Sequence, residues 1–362
     1  RGGFLLMTVI TDNPHMWFVC TNSEGKTQTV YNNEHYKHNY PFTFEVNFAD
    51  VATPQSNTVT LYNLTKEHRD FYKKKQHCYV AFNWGPDKKI LAEGFISKIG
   101  VPQHDGTTDM FTLTFTEGTN YSNVAARKLK VEKAEKVNKY VTKMVKEPDK
   151  VVTKYRHVTE TKVYKRGQKK GQKYEVHHRI PYKVTQKGKL RKKRIKTRTT
   201  KTKRVNKTFR AGTSYATLIK GIATQSGIVI SKIDLAKNPT LKRPYTAKGK
   251  PLTLLKQVVK KTGSVMTYIR GKLVIINPKN TKRTWYEIDD QDLISPPSYN
   301  ESSDSDSGKG TWEIQVPLVP DITTNVGIHM MSKYLKGYFY VKAGQHTFDM
   351  DTAQTQCSLA KI

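Results

Sequence analysis

Cysteine is scarce in this 362-residue chain: Cys20, Cys78 and Cys357 stand far apart and share no CxxC spacing. That excludes a disulfide scaffold and a cysteine-based zinc module, leaving buried or free thiols of a reducing compartment. Long apolar runs are also missing. No uninterrupted stretch approaches the ~18 residues a bilayer-spanning helix needs, so no membrane segment is expected. Acidic residues are lacking in one place above all. Of the 21 residues in "KGKLRKKRIKTRTTKTKRVNK" (187–207), 12 are Lys or Arg and none is Asp or Glu.

What is present is uneven. The formal charge is +33, but residues 127–210 alone hold 32 Lys and Arg against 6 Asp and Glu, a net +26. The remaining chain is close to neutral, at +7. The charge therefore describes one segment and gives no global argument for nucleic-acid binding. The length exceeds one ordinary core and predicts two to four domains. Twenty Tyr, with many Val, Thr and Ile, favour strands over helices.

Periodicity divides the chain. "TFEVNFAD" alternates Phe44, Val46 and Phe48, and residues 43–118 read as antiparallel strands with one short helix capped by Thr65. Asp105-Gly106 signals a hairpin there. Residues 211–277 carry two apolar helical faces, Leu218/Ile219/Ile222/Ala223 and Leu254/Leu255/Val258/Val259, which stop at Gly227 and Gly263. Each helix feeds a strand, "IVISKI" and "SVMTYI", and the second turns at Arg270-Gly271 into "KLVIIN". Residues 286–362 return to strands around an exposed polar loop, "SPPSYNESSDSDSGKG". From 151 to about 205 the basic segment alternates without helix breakers and reads as a three-stranded antiparallel meander. It has too few large apolar side chains to bury a core of its own. Residues 126–148 fit either a short amphipathic helix or more strand.

Catalytic and metal signatures are weak. His177 and His178 are adjacent on a strand and point to opposite faces, so they do not share a metal. His346, Asp349 and Asp351 are expected in one loop, a cluster read as structural. "SGKGT" (307–311) lacks phosphate-loop spacing, and "DSDSG" (304–308) lacks the bidentate Glu of a calcium loop. No enzyme and no cofactor are expected. The basic segment has three readings. It is a solvated ribbon whose charges block edge pairing, a nucleic-acid contact with interleaved Tyr155, Tyr164, Tyr174 and Tyr182, or a contact to an acidic protein or anionic polymer. Its candidate binding residues are Lys169, Lys170, Arg191, Lys192, Lys193, Arg194, Lys196, Arg198, Lys201, Lys203 and Arg204.

Three stretches, in this order, resemble bacteriophage tail and baseplate hub proteins, the group that includes late-control protein D and contractile prophage-like elements. They are "VTLYNLTKEHRDFYKKKQHCYVAFNWG" through "KKILAEGFISKI", "VNKTFRAGTSYATLIKGIATQSGIVISKI" with "LLKQVVKKTGSVMTYIRGKLVII", and "GTWEIQVPLVP" with "GYFYVKAGQHTFDM". The resemblance implies an α+β, β-rich chain. A first tube-like antiparallel β-barrel (7–126) and a second (286–362) would flank a small helix-strand domain (211–285). Within the basic β-meander insertion (127–210), residues 131–203 depart from the family pattern, which says nothing about their role. The implied function is a structural hub, trimeric, adapting the sixfold tail tube to a threefold spike or tail tip in the virion tail. Implied partners are tail tube protein, spike or tip protein, other baseplate proteins and tape-measure protein. The alternative is a nucleic-acid-binding protein that uses ribbon 151–207. Arg-Gly-Gly can be encoded by a purine-rich bacterial ribosome-binding sequence, so Met7 is read as the start and residues 1–6 as leader.

Overall fold

The computed structural model describes residues 4–6, 11, 13–33, 41–280, 282–301 and 310–362. Met7, the motif at 304–308 and the first three residues of the motif at 307–311 lie outside them. Two compact units result, one of residues 1–130 with 206–362 and one of residues 131–205. Among the described residues no helix is long and apolar enough to cross a membrane.

The larger unit begins with β1 (Phe4–Leu6), β2 (His15–Thr21), β3 (Thr27–Asn32), β4 (Phe42–Ala49) and β5 (Ser56–Tyr62). After α1 (Lys66–Phe71) come β6 (His77–Asn83), β7 (Ile90–Ile99), β8 (Gln103–His104) and β9 (Asp109–Glu117). The Thr65 hydroxyl caps α1 by accepting from the His68 N–H, as its position predicts. Strands β4-β5-β9-β7-β6-β2-β3 pair antiparallel in that order. Their inner face follows period two, and Phe18, Phe42, Phe44, Phe82, Leu113 and Phe115 fill the first core. Cys20 lies directly opposite Cys78 across β2–β6, and all three cysteines are free and buried.

The smaller unit differs from the expected meander. Its strands are β10 (Lys130–Lys146), β11 (Lys150–Val163), β12 (Lys173–Gln186) and β13 (Leu190–Asn206). β11 pairs with β12 and β10 with β13, so no three-stranded sheet forms and residues 130–146 are strand. The unit is one long hairpin in two ladders. The reason lies in the connections: Pro148-Asp149 and Lys187-Gly188 interrupt both arms at the same level. There the Glu147 N–H donates to the Lys189 carbonyl (3.0 Å) and the Gly188 N–H to the Asp149 carboxylate (2.8 Å). Thirty-one strand residues per arm give a path of about 100 Å.

The chain returns beside its point of departure, where the Lys207 N–H donates to the Leu129 carbonyl (3.0 Å). β14 (Thr208–Phe209), α2 (Tyr215–Ser226), β15 (Lys232–Ile233), β16 (Tyr245–Thr246), α3 (Pro251–Lys261), β17 (Val265–Ile269) and β18 (Lys272–Ile276) follow. The two predicted apolar helix faces pack together over β17 and β18 in the second core. Ser214 caps α2 and Gly227 ends it in the left-handed region at φ 73°. The strand expected over "IVISKI" is only the two residues of β15, because Ile228 and Ile230 turn into the helical core instead.

β19 (Trp285–Ile288), β20 (Ser295–Asn300), β21 (Thr311–Pro317), β22 (Gly327–Met331), β23 (Lys336–Phe348) and β24 (Ala353–Lys361) complete the unit. Part of the expected polar loop is therefore strand β20, which pairs with β21. β1 and β22 flank β19 in parallel pairing. A third core forms from Ile288, Ile314, Val316, Ile328, Phe339, Val341 and Leu359. β23 is the link. Its first half pairs with β22 and its second half with β4, across a bulge between Val341 and Ala343. The N- and C-terminal strand sets thus share one hydrogen-bonded sheet. The protein is α+β and β-rich.

Candidate functional site

Two places concentrate charge: a junction inside the larger unit and the surface of the long hairpin. At the junction, turn Arg270-Gly271 between β17 and β18 inserts between the first and third cores. Arg270 at φ 49° and Gly271 at φ 79° make the tight twisted turn that a two-residue hairpin needs. The Arg270 guanidinium donates to Asp321 Oδ1 (2.8 Å) and to the Pro320 carbonyl (3.1 Å). Lys89, from the β6–β7 loop, reaches Asp321 Oδ2 at 2.7 Å. One carboxylate therefore holds the first strand layer, the helix layer and the C-terminal layer together. Burial works to raise the Asp321 carboxyl, but the hydrogen bonds and charges of Lys89 and Arg270 hold it below its ordinary value.

Behind the turn sits Glu117 at the end of β9. It is 2 % exposed, and its Oε1 accepts from the Gly271 N–H at 3.0 Å while Oε2 has no partner. Burial pushes its carboxyl up to about 7 against those backbone hydrogen bonds. The approach is close: a Cβ on Gly118 would lie 2.4 Å from the Gly271 carbonyl oxygen. The Tyr268 hydroxyl donates to the Thr119 carbonyl (2.8 Å), and the Thr267 hydroxyl to that of Ala49.

His346 belongs to this buried zone and not to a loop. β23 runs on to Phe348, so His346 pairs within the sheet, shares a hydrogen bond with the Thr355 hydroxyl (2.8 Å) and lies tilted against the Phe48 ring (4.9 Å). Burial and the Arg270 charge drive its ring down to about 3. Asp349 instead closes the following turn by accepting from Thr352, so it and His346 do different work. His177 bonds Thr159 and His178 bonds Glu160, on the opposite faces that alternation predicts. Among the described residues no group of three or more His, Cys, Asp or Glu could hold a metal.

The candidate basic residues do not form one patch. Lys169 and Lys170 lie in the turn between β11 and β12, and the others lie along β13, beyond a whole ladder of fourteen residues. Within β13, alternation sends Lys192, Arg194, Lys196, Arg198 and Arg204 to one face. Arg191, Lys193, Lys201 and Lys203 go to the other. Arg191 pairs with Glu147 (3.1 Å), Arg204 with Glu132 (3.5 Å), and Arg194 lies over the Tyr140 ring (5.2 Å). The rest of this set carries no carboxylate partner among the described residues. Sequence reasoning missed the junction altogether. Arg270 was visible as a turn residue, but nothing local ties Glu117, Lys89 and Asp321 to it.

No family model matches the chain, and no curated protein matches it in sequence. Solved structures do match it along nearly its whole length, and the fold it shares with them is that of tail proteins. One is the 43 kDa tail protein of prophage MuSo2 from Shewanella oneidensis, with 10 % identity and a TM-score of 0.54 over 96 % of this chain and 98 % of that one. Another is the tail protein from Neisseria meningitidis MC58, with 10 % identity and a TM-score of 0.53 over 95 % and 96 % of the two chains. The resemblance to tail proteins read in the sequence is met at the level of fold.

Proposed function

We propose that this chain is a structural hub of a phage or phage-like tail. In this reading three copies form a ring that adapts the sixfold tail tube to a threefold spike or tail tip. The observation that carries the proposal is the whole-length correspondence with tail proteins, N-terminal strands to C-terminal strands. It is supported by the construction of the larger unit, in which two strand layers with separate cores share β23 and are clamped by one junction. A rigid body with two sheet-lined cores suits ring assembly, where faces and strand edges meet between copies. The chemistry in this reading is assembly, with no catalytic step.

Mass photometry of the full chain, alone and with the tail tube protein, tests this. Three-copy particles that bind tube protein are expected. A chain that stays monomeric and does not bind tube protein would remove the hub reading. The alternative, a nucleic-acid-binding protein working through the ribbon, predicts monomers whose duplex-DNA affinity falls steeply with salt.

A further inference from the structure

The register of β11 and β12 sorts their side chains into two unlike faces. One face carries the rows Val152–Val184, Lys154–Tyr182, Arg156–Ile180, Val158–His178, Glu160–Val176 and Lys162–Tyr174. The other has Val151, Tyr155, Pro181 and Val163 as its large apolar side chains and is otherwise polar, through Thr153–Lys183, His157–Arg179, Thr159–His177 and Thr161–Glu175. Seven large apolar side chains thus lie on the first face. Val152, Val158, Tyr174, Ile180 and Tyr182 remain 37–44 % exposed, and Val176 and Val184 are half-buried. A lone two-stranded ribbon is marginal in water, and packing against a further surface is what stabilises such a pair.

We propose that this face is a docking surface for an acidic protein, one whose apolar residues cover Val152, Val158, Val176, Ile180 and Val184. Its carboxylates would meet Lys150, Lys154 and Arg156. Those three cations share the face and have no carboxylate partner among the described residues, whereas Lys162 is already paired with Glu160 (3.2 Å). Along β12 the face is apolar from Val184 to Tyr174 except at His178, with Lys154 and Arg156 beside it on β11, and apolar contacts next to charges that a partner can pair are what a protein interface uses.

Other occupants fit worse. A second copy would oppose two units that each hold 27 Lys and Arg against 6 Asp and Glu over residues 131–205, with like charges on the mating face. Hydrocarbon would strand the unpaired N–H and C=O groups on both ribbon edges. Nucleic acid would leave the valines and Ile180 without a use. This docking is read by crosslinking and ring formation by particle mass, so either proposal can fail alone.

The test places the photo-crosslinking residue p-benzoylphenylalanine in the full-length chain, at Val158 or Ile180 on the apolar face and at Thr159 or Thr161 on the polar one. The chain is co-produced with the proteins encoded beside it. Adducts from 158 and 180 with a protein of net negative charge, about tenfold over 159 and 161, are the expected result. They should fall by a similar factor in K154E/R156E, whose altered positions are exposed and whose fold is checked by circular dichroism. Adducts to a second copy, to lipid or to nucleic acid would overturn the proposal. So would equal yields from both faces, no adducts, or adducts indifferent to charge reversal.

Discussion

Glu117 gives the larger unit a pH dependence that can be worked out in advance. Its carboxyl, ordinarily near 4.5, is raised to about 7 by burial at the Arg270-Gly271 turn. The folded state therefore binds a proton that the unfolded state has released between those two values. The stabilisation is complete below about 4.5, declines as pH rises through 7, and is absent above. The two values correspond to about 3 kcal/mol, an upper figure because local relaxation lets water reach Oε2. In Glu117→Gln, the amide oxygen can still accept from the Gly271 N–H and nothing titrates. The assay is urea unfolding of both proteins from pH 4.5 to 8. The expected result is a variant minus wild-type difference in unfolding free energy that grows by roughly 1–3 kcal/mol as pH rises. Exposed carboxylates such as Asp105 and Asp349 titrate in both proteins and cancel. Parallel curves, or a difference that grows toward acid, would refute the reasoning.

Other consequences are sharper and simpler. Gly94→Ala puts a Cβ 2.0 Å from the Thr116 carbonyl oxygen, between two central strands, and should cost about 2 kcal/mol or more in a denaturant melt. Ser214→Ala removes the hydroxyl that caps α2 by accepting from the Thr217 N–H, for about 1 kcal/mol by the same melt. Burial pushes the Cys20 thiol up to about 12 and raises those of Cys78 and Cys357 as well. A thiol reagent such as DTNB should then titrate no cysteine at pH 8 until the protein unfolds.

What the sequence disclosed was whatever is written locally. Period-two alternation at Phe44, Val46 and Phe48 and the helical faces ending at Gly227 and Gly263 appear in the structure where they were read. Pairing partners were a different matter. The alternation in 151–205 is compatible with a meander or with one long hairpin, and only the matched breaks at 147–149 and 187–189 choose the hairpin. The apolar face of β11 and β12 was hidden for the same reason, since it exists only once Val152 is set opposite Val184 and Arg156 opposite Ile180. His346 was read as a loop residue because polar neighbours follow it, yet pairing with β4 and β24 carries the strand through it. The Lys89–Asp321–Arg270 junction joins residues up to 232 positions apart, beyond any local pattern.

The central claim is the assembly, and electron microscopy of the purified full-length chain tests it most directly. Class averages of a ring with threefold symmetry and a central channel, at three times the 41.5 kDa chain mass, are expected. Single 41.5 kDa particles at every concentration, with no ring either alone or with tail tube protein, would contradict it.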